Sequence, residues 1–213
     1  AAAENDLEDM VASSDTGARK PLGVPGKLLV SIAAEWSLFQ LWIASPLPYI
    51  VGFGVFSATE ARSIHLAFAL FLAFMAYPAF KRSPRDRVPL ADWALAAVAA
   101  FCGAYLFIFY ADLAQRPGLP ITQDIIVGVV GILMLLEATR RALGPALMIV
   151  AAVFIAYSLF GPYMPGILAH RGVSLGGLIN HQWLGTQGVF GIALGVSTSF
   201  VFLFVLFGAL LDK

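Results

Sequence analysis

Charged residues are scarce in this sequence. Only 12% of the 213 residues are Asp, Glu, Lys or Arg, whereas 60% are hydrophobic, and the mean hydropathy is +0.84. A soluble domain carries about a quarter charged residues, so this composition excludes an ordinary soluble protein. The apolar runs are long enough to cross about 30 Å of hydrocarbon, and the alternating short segments of a transmembrane barrel are missing. The sequence therefore predicts an all-α polytopic helical membrane protein, with about six transmembrane helices plus a short interfacial helix.

Net charge, cysteine pairs and clustered metal ligands are also missing. Thirteen Lys and Arg balance thirteen Asp and Glu, which removes the electrostatic case for a nucleic-acid partner. The one cysteine, Cys102, lies in an apolar run, where we expect it to pack rather than to form a disulfide. His65, His170 and His181 are scattered, so no metal site and no cofactor is predicted.

A short polar turn divides the chain. Glu137 can pair with Arg140 or Arg141, three and four residues further on. Gly144 can take the left-handed conformation that closes a helix, and Pro145 suits the first turn of the next helix. We interpret this turn as a tight connection between two membrane spans, with four hydrophobic segments before it and two after it.

The remaining segments follow from hydropathy and from helix punctuation. Residues 1–26 are polar and are predicted to be a disordered cytoplasmic tail. The first half of segment 27–56 is expected to lie along the membrane surface before turning inward. The other predicted helices are 58–80, 89–110, 121–141, 145–160, a surface helix at 174–184, and 185–211.

Two helix caps and one packing face are predicted. Thr59 is the expected N-cap of the second helix, and Ser174 that of the surface helix. Gly191, Gly195 and Ser199 lie four residues apart. Such a stripe of small residues is typical of close contact between membrane helices.

The distribution of basic residues predicts the orientation, because cytoplasmic loops are enriched in Lys and Arg. With the N-terminus inside, the outer segments hold only Arg62, Arg116 and Arg171, three of the thirteen basic residues. The other ten lie in inner segments: Arg19, Lys20, Lys27, Lys81, Arg82, Arg85, Arg87, Arg140, Arg141 and Lys213. We therefore expect a multi-pass protein whose N-terminus is cytoplasmic.

Four ionisable residues carry two interpretations each. Glu35 is either an intramembrane functional carboxylate or an interfacial or paired side chain, and we favour the second. His65 fits a proton relay or an interfacial side chain, and again the second is favoured. Arg140 and Arg141 can bind an anionic lipid headgroup, but a topology anchor and helix cap explains them fully.

No enzyme motif is found. An intramembrane serine protease needs a nucleophile and a base that meet inside the bilayer. Ser197 or Ser199 with His181 is the only candidate pair, and His181 falls in the predicted surface helix. We therefore predict no catalytic, cofactor-binding or metal-binding residue, and the substrate-binding residues stay unassigned.

Four stretches resemble the fused permeases of tripartite ATP-independent periplasmic (TRAP) transporters, most closely those of the TAXI type. They are residues 62–74 (RSIHLAFALFLAF), 136–147 (LEATRRALGPAL), 160–172 (FGPYMPGILAHRG) and 194–210 (LGVSTSFVFLFVLFGAL). Their order and spacing carry more weight than any one of them.

The resemblance implies a division of the chain. Residues 27–142 resemble the small membrane subunit, 143–166 the connecting transmembrane helix of a fusion, and 167–213 the truncated start of the large subunit, with its interfacial helix and first span. The expected partners are the lipid bilayer, the remainder of the large transport subunit and a periplasmic substrate-binding protein that delivers an organic acid. A coupling ion, sodium or proton, is expected only in the complete transporter. The implied role is a static scaffold in the bacterial inner membrane, and no substrate or ion residue transfers to this sequence.

Two other functions stay open. One is a small scaffolding subunit of another solute transporter, such as the tripartite tricarboxylate class, although such a chain should stop after four spans. The other is an intramembrane enzyme. The end at 212–213, directly after an apolar segment, is interpreted as a cut, and the reading frame beyond it would separate these possibilities.

Overall fold

A computed structural model describes residues 17–19, 21, 23–80 and 82–211, and these residues contain helices and turns but no strand. Residues 1–16 of the predicted tail lie outside this part of the chain. The helices are α1 (Val24–Ala44), α2 (Leu47–Val51), α3 (Ala58–Ala76), α4 (Leu90–Ile108), α5 (Tyr110–Ala114), α6 (Thr122–Leu143), α7 (Pro145–Phe160), α8 (Leu175–Ile179), α9 (Ile192–Val196) and α10 (Phe202–Leu211). Two short 3₁₀ turns, Gly161–Tyr163 and Gly166–Leu168, follow α7, and π turns follow α8 (Asn180–Leu184) and α9 (Ser197–Val201).

The prediction of an all-α helical membrane protein is confirmed. Five of the described helices are long and apolar enough to cross a membrane: Val24–Ala44, Ala58–Ala76, Leu90–Ile108, Pro145–Tyr163 and Ile192–Leu211. The segment Ile192–Leu211, which joins α9, its π turn and α10, is called the last span below. The fourth predicted span, 121–141, coincides with α6, which has 22 residues but is not one of these five.

The centre of the bundle is the contact between α3 and α4. Small residues on α4 let the two backbones approach, since Ala96 and Ala99 are fully buried and a Cβ atom at Gly103 would lie 3.0 Å from the backbone of Ala67. Ser63 ties the helices together by donating a hydrogen bond of 2.7 Å to the carbonyl of Gly103. Close packing and a short polar bond are the forces available between helices in lipid, where apolar burial alone gives little.

The bundle has two distinct ends. At the first, here called the basic end, α1 and α4 begin and α3 and α6 finish, and Arg19 and Arg141 both reach Asp92. At the other, here called the loop end, lie the connections 45–57, 109–121 and 161–191. The predicted tight turn at the basic end is found: α6 ends at Leu143, α7 begins at Pro145, and Gly144 between them has a positive φ of 90°.

One of the two predicted caps is wrong and the other is confirmed. The N-cap of α3 is Ser57, whose hydroxyl accepts a hydrogen bond from the amide of Glu60, while the Glu60 carboxylate accepts one from the amide of Ser57. This reciprocal pair satisfies two backbone donors, which Thr59, already inside the helix, cannot do. Ser174 caps α8 as predicted, by accepting from the amide of Gly177 at 3.2 Å.

The described part of the predicted tail differs from the expectation of disorder. α1 begins at Val24, three residues before the predicted hydrophobic segment. Arg19 is buried, its amide donates to the carbonyl of Ala76 at 2.7 Å, and its guanidinium donates to the carbonyl of Pro84. The polar composition of this segment does not reveal that Arg19 is bound to the bundle, because its partners lie in segments much later in the chain.

The last span is shorter than predicted. Residues 185–191 form turns, and the helix starts at Ile192. The predicted small-residue stripe is divided between two surroundings. Gly195 faces the guanidinium of Arg62, which a Cβ atom would approach to 2.7 Å, whereas Ser199 is exposed and donates to the carbonyl of Gly195.

Candidate functional site: a buried polar cluster between three helices

Four polar or amphipathic side chains and one backbone carbonyl, from three helices, meet inside the bundle. The side chains are Trp36 and Gln40 of α1, His65 of α3, and Ser197 of the π turn in the last span, and the carbonyl is that of Thr198 in the same turn. We call this set the His65 cluster. Trp36 and Gln40 share one face of α1 because they are four residues apart. His65 is the eighth residue of α3, about 10 Å from its first residue at 1.5 Å per residue.

The contacts within the cluster are short and largely buried. Gln40 is fully buried and His65 is 3% exposed. The Nε2 atom of Gln40 lies 2.6 Å from Nδ1 of His65 and 3.1 Å from the carbonyl oxygen of Thr198. The indole Nε1 of Trp36 is 3.2 Å from the same His65 Nδ1, and the Ser197 hydroxyl is 3.3 Å from His65 Nε2.

These contacts fix the tautomer of His65. The indole Nε1 of Trp36 is only a donor, so the Nδ1 atom of His65 must accept. The proton of a neutral imidazole then resides on Nε2, where it donates to the hydroxyl oxygen of Ser197. The amide of Gln40 is oriented by the same logic, because its two contacts are with an acceptor nitrogen and an acceptor carbonyl.

One polar atom of the cluster has no partner among the residues that the structure describes. The Oε1 atom of Gln40 is buried and accepts no hydrogen bond from any of them. A buried acceptor without a donor costs about 1–3 kcal/mol. The carboxamide of Gln40 therefore makes both of its contacts through the Nε2 amino group, while Oε1 stays unpaired.

A second contact joins α3 to the connection that directly precedes the last span. Arg62, one turn before His65, donates from its guanidinium to the carbonyl of Phe190 at 3.0 Å. Phe190 itself is buried against the ring of Trp183, with 5.4 Å between the ring centroids. Gly195 of the last span lies beside the same guanidinium, so α3 contacts both the last span and the residues directly before it.

The candidate catalytic pair that the sequence disfavours, Ser197 or Ser199 with His181, is not formed. His181 is exposed and lines a cleft of about 460 Å³ at the loop end, and Ser199 bonds to its own helix. Ser197 instead lies beside His65, but there the imidazole is the donor and presents no lone pair to the hydroxyl. A histidine in this tautomer cannot act as the general base that a serine nucleophile requires.

The charged residues at the basic end form a second cluster, which is built on ion pairs. Asp92 accepts from Arg19 at 2.6 Å and from Arg141 at 2.8 Å, and all three side chains are at most 6% exposed. Glu137 accepts from both Arg140 and Arg141 at 2.7 Å, as the spacing predicted. Since each of these guanidiniums has a carboxylate partner, the anchoring interpretation fits these contacts.

A third cluster surrounds Asp124 in the first turn of α6, near the loop end. This carboxylate is fully buried and accepts from the Tyr105 hydroxyl at 2.5 Å, from Arg116 at 2.6 Å and from the amide of Ile121 at 2.9 Å. Three donors and a helix N-terminus stabilise the negative charge. The cluster ties the connection 109–121 to the ends of α4 and α6.

Glu35 takes no part in any of these clusters. It is exposed on α1 and lines an apolar groove of about 380 Å³ with Phe68, Phe71 and Phe107. The carboxylate of Glu35 therefore does not lie in the interior of the described bundle.

The sequence indicates His65 and Ser197 only as separate candidates, and no local pattern in it points to Gln40. Their partners are 25 to 158 residues apart along the chain, beyond the reach of local spacing. A signal was present: Gln40 and His65 are polar residues inside apolar helices, where an unpaired side chain is costly. Comparison of the chain with protein-family models, with curated proteins and with solved structures finds no match.

Proposed function

We propose that this chain is the membrane scaffold of a secondary transporter permease of the TRAP type, TAXI class, in a bacterial inner membrane. It supports the uptake of an organic acid that a periplasmic binding protein delivers. The substrate and ion sites belong to the remainder of the large transport subunit. The proposal rests on the resemblance of the four sequence stretches, together with two features of the bundle.

The first feature is the use made of the interior polar groups. The three polar clusters tie one helix to another: Asp92 joins residue 19 to α4 and α6, Asp124 joins α4 to α6, and His65 joins α1 and α3 to the last span. Polar groups that bond one part of the bundle to another stabilise its structure. Fixed contacts of this kind are what a static support requires.

The second feature carries most of the proposal. The last span is held on one side by Arg62 and the His65 cluster, and its other side is a continuous apolar surface that includes Phe200 (63% exposed), Phe204 (74%) and Val205 (66%). No residue of α7 is buried either. Such surfaces suit lipid and further transmembrane helices, so the chain can brace a larger transport domain against the bilayer.

Reconstitution tests this function. The purified chain, alone in sealed proteoliposomes, should accumulate no radiolabelled organic acid, even with a binding protein present. Co-expression with the remaining large subunit should yield a complex that copurifies and transports. Uptake by the isolated chain would refute the supporting role.

Two alternative functions differ in how the structure bears on them. A scaffolding subunit of another solute transporter, such as the tripartite tricarboxylate class, agrees with the same ties between helices and would copurify with a different large subunit. An intramembrane enzyme is disfavoured by the tautomer of His65. A hydrolytic activity that disappears in Ser197→Ala, with the bundle still folded, would restore it.

A further inference from the structure

We propose that the His65 cluster is a proton-binding site whose occupancy releases the last span from α1. The ligand is a single proton on the Nδ1 atom of His65. The proposal goes beyond the scaffold function and does not depend on the transporter class.

In the neutral state the cluster is self-consistent. Nδ1 of His65 receives the N–H groups of both Trp36 and Gln40, and Nε2–H donates to Ser197. Gln40 uses its other amide hydrogen on the Thr198 carbonyl, at 3.1 Å. Gln40 is thus the bridge between α3 and the last span.

A proton on Nδ1 reverses the requirements of this bridge. The imidazolium carries N–H on both nitrogens, so Nδ1–H would point at two donors within 3.2 Å. Rotation of the Gln40 carboxamide by half a turn removes the Gln40 part of the conflict, because Oε1 then accepts from Nδ1–H. The Trp36 indole, whose N–H cannot accept, has to turn away from Nδ1–H. The Oε1 atom of Gln40, which is unpaired in the neutral state, thus becomes the hydrogen-bond acceptor of the His65 imidazolium.

The same rotation breaks the link to the last span. After it, Oε1 of Gln40 faces the Thr198 carbonyl oxygen across the 3.1 Å that the N–H previously bridged. Two acceptors at that separation repel each other, so the π turn must move away. Proton binding and release of the helix are therefore coupled, and by linkage a displaced last span favours the protonated histidine.

None of the other charged or titratable groups considered near His65 is placed to accept the Nδ1 proton, so Gln40 is the acceptor. On α3, Arg62 lies one turn away and is engaged with Phe190, and Glu60 is engaged in the helix cap. On α1, Glu35 is exposed on the surface. The last span contains no Asp, Glu, Lys or Arg, and on α4 Asp92 is occupied at the basic end, Tyr105 bonds to Asp124, and Cys102 lies in the core.

The experiment uses the purified 213-residue chain in lipid nanodiscs. Histidine ¹⁵N spectra recorded between roughly pH 4 and 8 report the protonation of each ring nitrogen, and His65→Gln identifies the resonances of position 65. Amide hydrogen exchange of residues 197–201, corrected for the intrinsic pH effect, reports the link to the last span. Loss of one buried hydrogen bond should raise that exchange by about fivefold.

Two variants separate the switch from a merely structural role. Gln40→Glu supplies acceptors and no amide donor, so residues 197–201 should exchange about fivefold faster than wild type already at neutral pH. His65→Gln keeps an acceptor for the Gln40 amide but cannot be protonated, so its exchange should stay slow across the whole range. Wild type should change from slow to fast in the same pH interval in which Nδ1 gains its proton.

The proposal is overturned if Nδ1 of His65 gains no proton in this range, or if it does so while residues 197–201 remain protected. It is also overturned if Gln40→Glu exchanges like wild type at neutral pH. If His65→Gln does not fold, replacing His170 and His181, the other two histidines, identifies the resonances of position 65, so the wild-type titration still decides the test.

Discussion

Replacing Asp92 with Asn tests the ionic cluster at the basic end. The wild-type carboxylate is 6% exposed and accepts from Arg19, whose side chain is fully buried, and from Arg141, whose side chain is 3% exposed. The variant removes the one negative charge that these two cations share. It keeps a carboxamide oxygen of similar size, so the change is electrostatic rather than steric.

The magnitude follows from the burial of the partners. Removing one member of a buried ion pair costs about 3–5 kcal/mol, because a charge is left without compensation. One hydrogen bond to the carboxamide oxygen survives, which places Asp92→Asn near 3 kcal/mol. For a chain of this size each kcal/mol lowers Tm by about 2–4 °C, so we expect a decrease of about 6–12 °C.

Cys102 provides the assay. It is the only cysteine in the sequence and is 2% exposed between α3 and α4. A thiol-reactive dye that fluoresces on reaction therefore reports unfolding of the bundle core during heating, and no engineered cysteine is needed. Dye reaction in the detergent-solubilised variant should begin at a correspondingly lower temperature.

Asp112→Asn is the matched control, since the same change of charge is made on an exposed side chain at the loop end. Its Tm should stay within about 2 °C of wild type, as surface substitutions usually change stability by less than about 0.5 kcal/mol. If Asp92→Asn and Asp112→Asn unfold together, the buried ion pairs do not stabilise the bundle and the reasoning is refuted.

Two further predictions use the same thermal assay. Gly195→Leu should lower Tm by about 4–8 °C, because overpacking costs about 2 kcal/mol where a Cβ atom already meets the Arg62 guanidinium. Gly208→Leu, in open space on the same span, should leave Tm unchanged, and equal losses would argue against the contact. Tyr105→Phe removes the hydroxyl donor to the buried Asp124 and should lower Tm by about 3–6 °C, since a hydrogen bond to a charged group contributes about 1.5 kcal/mol; an unchanged Tm would contradict that bond.

The helices could be predicted from the sequence because their signals are local. Hydropathy and punctuation place α7 at the predicted bounds, Pro145 to Phe160. The pairing of Glu137 with Arg140 and Arg141 follows from spacing on one helix. The N-cap of α3 was missed by two residues, although the Ser57–Glu60 pair has the spacing of a capping box.

The site could not be predicted, because it is made of distant residues. Gln40 bonds to a carbonyl 158 positions away, and no periodicity connects the two. Arg19 was assigned to a disordered tail for the same reason, since its carboxylate partner lies 73 positions further on. Isolated polar residues in apolar helices indicate that partners exist, but only the fold identifies them.

The arrangement around Asp92 also sets an order of assembly. Its first partner, Arg19, is synthesised 73 residues earlier, and its second, Arg141, appears 49 residues later. The nascent chain can thus neutralise the carboxylate once, but full pairing has to wait until the sixth helix has emerged from the ribosome. Closure of the basic end is for that reason a late event of biogenesis, and a chain arrested before residue 141 leaves this junction incomplete.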